Sequence, residues 1–209
     1  MVVPCPSLDS LITRLRASIR VAAPRLDAIC REVATDLAPV LRNPAWLPAA
    51  YTVPDPSGYR RELLHEEEDG AFSIGCFVWG AGQATPIHDH RCWGVAGVLV
   101  GALREESFVR DAAGALAKTG ADVILRAGDT SDITPAGDEM GSGGAPKPGD
   151  IHRVGAATDA VSISIHVYGA RFANVCRTRY AVPVVTPPSG WREGRHPAAV
   201  FAEPWRPYF

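Results

Sequence analysis

The sequence predicts a mostly-β domain, a barrel or sandwich of short antiparallel strands behind a helical N-terminal part. Three observations predict it. Apolar residues recur at three- and four-residue spacing over positions 1–45, the period of a helix face. From about Tyr51 onward that period gives way to short β-branched and aromatic runs separated by Gly, Pro and Asp. The 209 residues, 46% of them apolar, suffice for one domain with a sizeable core.

The first helix carries its apolar face on Leu8, Leu11, Ile12, Leu15 and Ile19, with Ser7 at the N-cap. A second opens after Pro24, whose missing N–H a first turn tolerates, on the stripe Leu26, Ile29, Cys30, Val33 and Leu37. Asn43-Pro44 ends this helical part, 1–45. Strands are expected at Phe72 to Trp79, Val95 to Val100, Leu103 to Arg110, Val123 to Leu125, His152 to Val154 and Val161 to Tyr168, with Asp111 to Gly114 as a hairpin connection. Thr134 to Asp150, rich in Gly, Pro and Asp, reads as a surface loop. The barrel spans 51–184, and the tail 185–209 is extended, with Trp191, Phe201, Trp205 and Phe209 to pack it back on the barrel. The whole, 1–209, reads as a single domain without internal repeat.

Composition excludes several function classes. With a formal charge of −2 and scattered basic residues, the chain has no polyanion footprint; the basic piece Arg192 to His196 reads as solvated tail, so no nucleic-acid partner is expected. No apolar run approaches the roughly 20 residues of a membrane helix. The start Met1-Val2-Val3-Pro4-Cys5 lacks the regions of a signal peptide, and a cytoplasmic location is expected. Five cysteines, odd in number and without Cys-x-x-Cys spacing, argue for reduced thiols over disulfides or a structural zinc site.

Chemistry concentrates on histidines. In Pro86-Ile87-His88-Asp89-His90, alternation along an extended chain puts both imidazoles on one face, at two corners of one metal polyhedron. A third ligand has to come from elsewhere, and Gly149-Asp150-Ile151-His152 offers a histidine entering a strand directly after a turn. Ser164, His166 and Tyr168 alternate so that all three share one side of a strand.

Gly82 lies six residues before His88, Gly101 eleven after His90, and Gly149 three before His152. These spacings resemble the two motifs of cupins, which implies a single jelly-roll β-barrel. The glutamate that the first motif places after the histidine pair is absent, and Gly94 stands there. Within cupins, the three-histidine set with Trp79-Gly80, Ile87-His88-Asp89-His90 and Ser164-Ile165-His166-Val167-Tyr168 resembles the bacterial cysteine dioxygenase and 3-mercaptopropionate dioxygenase family. The likeness runs from about Tyr59 to Tyr168.

That resemblance implies a mononuclear non-haem iron(II) thiol dioxygenase of sulfur amino-acid metabolism, adding both atoms of O2 to the sulfur of a small thiol to give a sulfinic acid. His88, His90 and His152 would hold Fe(II). Ser164, His166 and Tyr168 would form a hydrogen-bond relay that directs the tyrosine hydroxyl at the substrate. A metal held by neutral ligands keeps its positive charge, which favours the thiolate of a coordinating substrate. Family members that recognise cysteine carry an arginine, after a tyrosine, for the substrate carboxylate, and Tyr59-Arg60-Arg61 matches that place. Parity with Tyr59 favours Arg61, with Arg60 as the alternative.

L-Cysteine is therefore the expected thiol; Trp93-Gly94 resembles the members that use 3-mercaptopropionate, which keeps that or another mercapto acid open. Gly94 also stands where mammalian-type members have a cysteine crosslinked to the tyrosine, so Tyr168 is expected uncrosslinked and Cys92 a buried filler. His65 and His196 read as surface or satisfied histidines, and Trp79 and Trp93 as core. Arg171, close after Tyr168, is a lesser candidate for a second carboxylate at the pocket mouth. Two further readings stay open: the same histidines with another metal, since imidazole alone does not select iron, and a metal-binding sensor cupin without turnover. The oligomeric state is open too.

Overall fold

A computed structural model describes residues 7–110, 115–135 and 150–180. The Asp111 to Gly114 connection, most of the expected Thr134 to Asp150 loop, Gly149, His196 and the tail 185–209 with its aromatic rings lie outside the described residues.

Two helices, α1 (Leu8–Ala22) and α2 (Leu26–Leu41), precede the strands. The Ser7 hydroxyl accepts the Ser10 N–H at 3.2 Å and the Ser10 hydroxyl accepts the Ser7 N–H, a reciprocal cap that satisfies donors the helix start would leave orphaned. Pro24 differs from expectation: α2 begins at Leu26 with Arg25 as its N-cap, so the proline precedes the helix instead of filling its first turn. The Ala23 N–H still bonds back to Ile19, so α1 occupies the chain almost up to that proline.

Ten strands follow: β1 (Arg60–Glu66), β2 (Ser73–Trp79), β3 (Ile87–His90), β4 (Gly94–Val100), β5 (Ala102–Arg110), β6 (Leu116–Arg126), β7 (Thr130–Ile133), β8 (Ile151–Ala156), β9 (Ser162–Tyr168) and β10 (Cys176–Tyr180). They form two antiparallel five-stranded sheets, ordered β1-β2-β9-β4-β7 and β10-β3-β8-β5-β6. Setting aside the outermost β1 and β10 leaves β2-β9-β4-β7 against β3-β8-β5-β6, the eight-strand jelly roll of the cupin barrel. Gly82 and Gly101 adopt φ of +70° and +75°, so the motif glycines stand where the chain turns through a conformation that L side chains resist.

Packing sorts the first sheet into two faces. On β9 every residue is buried, yet neighbours along it serve different cores. Ile163, Ile165 and Val167 join Leu11, Leu15, Val33 and Leu37 beneath the helices, whereas Tyr168 joins Phe77, Trp79, Val98 and Leu103 inside the barrel. Period-2 alternation thus sends Ser164 and His166, on the Tyr168 side, into the interior as well. The same split occurs on β2, with Ile74, Cys76 and Val78 beneath the helices and Phe77 and Trp79 inside. Among the described residues no helix is long and apolar enough to cross a membrane.

Leu37, fully buried on the inner face of α2, tests this helix layer. Leu37→Ala is expected to lower unfolding free energy by about 2–5 kcal/mol through lost burial and a residual cavity. A urea titration followed by far-UV dichroism measures it, and a change below about 0.5 kcal/mol, the size typical of surface substitutions, contradicts the packing described.

Candidate metal centre

His88 and His90 project from one face of β3 because they are two residues apart. In the β3–β8 pairing His88 lies directly opposite His152, and residues opposed across antiparallel strands put their side chains on the same face. The three imidazoles therefore meet inside the barrel. Ring centroids are 4.8 Å apart for His88 and His90, 4.7 Å for His88 and His152 and 4.9 Å for His90 and His152. Their ligand atoms all lie within 4.8 Å of one another, a group that could hold one metal ion.

The outer edge of each ring faces oxygen. His88 Nδ1 is 3.0 Å from the Pro86 carbonyl, and His152 Nδ1 is 2.6 Å from Glu105 Oε1. His90 Nδ1 faces Asp150 Oδ1 at 3.4 Å without making a hydrogen bond, while the same oxygen accepts the His90 backbone N–H at 3.0 Å. With Nδ1 directed at these oxygens, Nε2 is the nitrogen left to donate toward the shared centre, as metal-binding histidines do. Burial, reinforced by the neighbouring imidazoles, holds His88 well below the usual histidine range. Burial likewise lowers His90, against the pull of Asp150. Both are neutral donors, and the set fits a divalent metal.

Glu105 and Asp150 were not singled out from sequence. On β5, Glu105 sits opposite Val154, one alternation from His152, so the pairing that places the third histidine also supplies its carboxylate. Burial works to raise the Glu105 pKa, but hydrogen bonds from His152 and from the Ser131 hydroxyl at 2.7 Å outweigh it and the carboxyl lies below its ordinary value. In sequence the only hint is an acidic residue inside a strand, which a solvated strand shows equally well.

Ser164, His166 and Tyr168 make a continuous chain. Ser164 Oγ is 2.8 Å from His166 Nε2, and His166 Nδ1 is 2.8 Å from the Tyr168 hydroxyl. Trp79, expected only as core, extends the chain: its indole N–H donates to Ser164 Oγ at 3.0 Å. Burial, with the nearby Arg61 charge adding to it, pushes His166 down to about 3, so the ring is neutral, one nitrogen donating and the other accepting. Gly94 pairs with Tyr168 across β4 and β9, and a Cβ there would come within 2.8 Å of the tyrosine ring. The missing glutamate thus has a local cause: the tyrosine ring occupies the space of any side chain at that position.

A cavity of about 480 Å³, mouth included, opens onto this centre. Its lining includes Tyr59, Arg61, His88, His90, Tyr168 and Arg179. Arg61 holds its guanidinium 4.8 Å from the Phe172 ring centre and 5.5 Å from that of Phe77. Tyr59 stacks on Trp79 with centroids 4.8 Å apart. Arg60 is bound to Glu62 at 2.5 Å and to the Val53 carbonyl at 2.7 Å instead. Arg171 is likewise turned away, to Glu66 at 2.9 Å and the Glu68 carbonyl. His65 is satisfied by Glu67 at 2.6 Å. A second, chiefly apolar cavity of about 490 Å³ reaches His88 and His152 from the side of Val98, Leu103 and Leu125. Among the described cysteines Cys30, Cys76 and Cys92 are buried thiols outside any disulfide, and burial pushes Cys76 and Cys92 up to about 12.

Fold and site together define a cupin barrel whose interior carries a three-histidine group able to bind a metal. No protein-family model matches the chain. Solved structures with partial likeness include a double-stranded β-helix domain protein from Klebsiella pneumoniae, at 16% identity over 58% of this chain and 80% of that one, TM-score 0.43. Others are a cupin 2 conserved barrel protein from Salinispora arenicola, at 19% identity over 60% and 86%, TM-score 0.40, and oxalate oxidase in complex with glycolate, at 16% identity over 56% and 53%, TM-score 0.39.

Metal analysis of variants tests the centre. His152→Ala is expected to keep its β-sheet dichroism while losing nearly all bound metal, and metal content equal to the parent's overturns the three-histidine group. Glu105→Gln is expected to weaken metal affinity about 10–100-fold, read by chelator competition.

Proposed function

We propose that the chain is a mononuclear non-haem iron(II) thiol dioxygenase, similar in its site residues to the cysteine dioxygenase family, acting on a small thiol that bears a carboxylate. The observation that carries the reading is the buried Trp79–Ser164–His166–Tyr168 chain, which ends in the same cavity as His88, His90 and Arg61. A metal-storing or sensing barrel has no use for such a row.

Bound at His88, His90 and His152, iron(II) would supply a Lewis-acidic position for thiolate sulfur and the redox chemistry that activates O2. The net change is balanced: a thiolate and O2 give a sulfinate, sulfur losing four electrons and O2 gaining them, with no external reductant. Arg61 receives the substrate carboxylate, held in place by the rings of Phe77 and Phe172. With Trp79 donating to Ser164, the serine hydroxyl is free to donate to His166 Nε2. The neutral imidazole then donates from Nδ1 to the tyrosine oxygen, leaving the Tyr168 O–H to donate into the cavity. His166 acts as a positioning residue and Tyr168 as the group in contact with the reacting sulfur and oxygen. Glu105 keeps the His152 imidazole in orientation, and Asp150 fixes the backbone at His90 by accepting its N–H.

The test is anaerobic iron loading followed by oxygen-uptake measurements with L-cysteine, 3-mercaptopropionate and cysteamine. One sulfinate per O2 consumed is expected with a carboxylate-bearing thiol. Iron-loaded protein that consumes no oxygen with any thiol overturns the reading. Tyr168→Phe is expected to lower kcat on the order of 100-fold with little change in KM, the signature of a hydrogen bond made in the transition state.

A further inference from the structure

Two cavities reach the histidine group, and a thiol needs only one of them. The cavity with Arg61 lies toward β1 and β10, one end of both sheets; the second lies toward β6 and β7, the other end. Phe77, Thr85, His88 and Tyr168 line both and partition them, while His152 lines only the second. Around that second cavity Val98, Leu103, Leu125, Ile133 and Val154 bring aliphatic side chains from β4, β5, β6, β7 and β8 in turn. Ala96, on the Val98 side of β4, is the small residue that leaves the space open.

The polar groups bordering this space are engaged with one another. The Ser131 hydroxyl donates to Glu105 Oε2 at 2.7 Å, and Glu105 Oε1 lies 2.6 Å from His152 Nδ1. The Thr85 hydroxyl accepts the Val154 N–H at 3.0 Å, and Ser164 and His166 belong to the row that begins at Trp79. A buried water needs roughly two to four polar partners, whereas an apolar space stays dry and takes small apolar guests. Glu105 faces this cavity and not the first, so an anionic thiol meets a carboxylate on this side.

We infer that the second cavity is the binding site for dioxygen, which waits among Val98, Leu103 and Ile133 and reaches the histidine group from the side away from the thiol. The inference deepens the dioxygenase reading and rests on it for the use of the gas; the apolar space rests on packing alone. An uncharged diatomic loses little on leaving water for aliphatic walls and gains dispersion contacts there. A thiol seated on the Arg61 side then leaves the route of the gas open.

The experiment is methyl NMR of full-length protein loaded with zinc, which is diamagnetic, under increasing dioxygen pressure. The paramagnetic gas broadens the methyl signals it touches. Val98, Leu103, Leu125, Ile133 and Val154 are expected to broaden about threefold or more beyond Val95, Ile165 and Val167, which are close-packed beneath the helices. Ala96→Leu, which fills the space, is expected to remove that excess. In iron-loaded protein the same change is expected to raise KM for dioxygen about fivefold, with kcat at saturating gas and anaerobic thiol affinity within about twofold. Leu125→Phe, at a partly buried position, repeats the test if Ala96→Leu does not fold. Equal broadening of the two sets of methyls, or an unchanged KM for dioxygen in a filled variant with the parent's melting temperature, overturns the assignment. The oxygen electrode separates the two claims. Selective broadening with no oxygen uptake on any thiol supports the apolar site and sinks the dioxygenase reading. Oxygen uptake with equal broadening does the reverse.

Discussion

The register that puts His88 opposite His152 is the constraint on which the site depends. Side chains alternate along a strand, so slipping β8 by one residue would turn His152 to the other face and dissolve the cluster. The contact between β3 and β8 is too short to fix this by itself. β8 is instead locked along its length against β5, from Phe108 opposite Ile151 to Leu103 opposite Ala156. Thr85 clamps its far end, its N–H donating to the Val154 carbonyl at 2.8 Å and its hydroxyl accepting the Val154 N–H at 3.0 Å. Because β5 also carries Glu105, the strand that holds the register also orients the ring.

A second constraint is the covering of one sheet on both sides. The helices bury the outer positions of β2 and β9, which leaves alternate positions no option but the barrel interior. A polar row buried there is tolerable only when its members satisfy one another, and Trp79, Ser164, His166 and Tyr168 do so in sequence. Desolvation also keeps His166 neutral, and a neutral ring can accept at one nitrogen while donating at the other. The layer of helices thus reaches the chemistry through the protonation state of one histidine.

What the sequence disclosed follows strand position. The strands foreseen from alternation, including those that became β2, β4, β5, β8 and β9, lie inside their sheets, and β2, β4 and β9 are mostly buried on both faces, which gives those three dense apolar runs. β1, β7 and β10 were not foreseen as strands and β6 only over Val123 to Leu125; all four are the sheet edges. Edge strands such as Arg60–Glu66 and Cys176–Tyr180 carry charged residues, the usual guard against further pairing, and that blurs the period. The site shows the same division. Histidines two apart are legible locally, as is the Ser-His-Tyr alternation. Glu105, Asp150 and Arg179 acquire meaning only from the strand each faces, and Arg179 lies on an edge that the local pattern did not reveal.

The buried cysteines have a consequence for a centre proposed to oxidise sulfur. Cys30 and Cys76 lie in the layer between helices and sheet, and Cys92 is enclosed in the barrel core with Tyr168. The thiolate is the form that ligates metals and meets oxidants, and enclosure holds Cys76 and Cys92 protonated well past neutral pH. Burial thus keeps the sulfurs of Cys76 and Cys92 out of the form that a bound metal or an oxidant would meet.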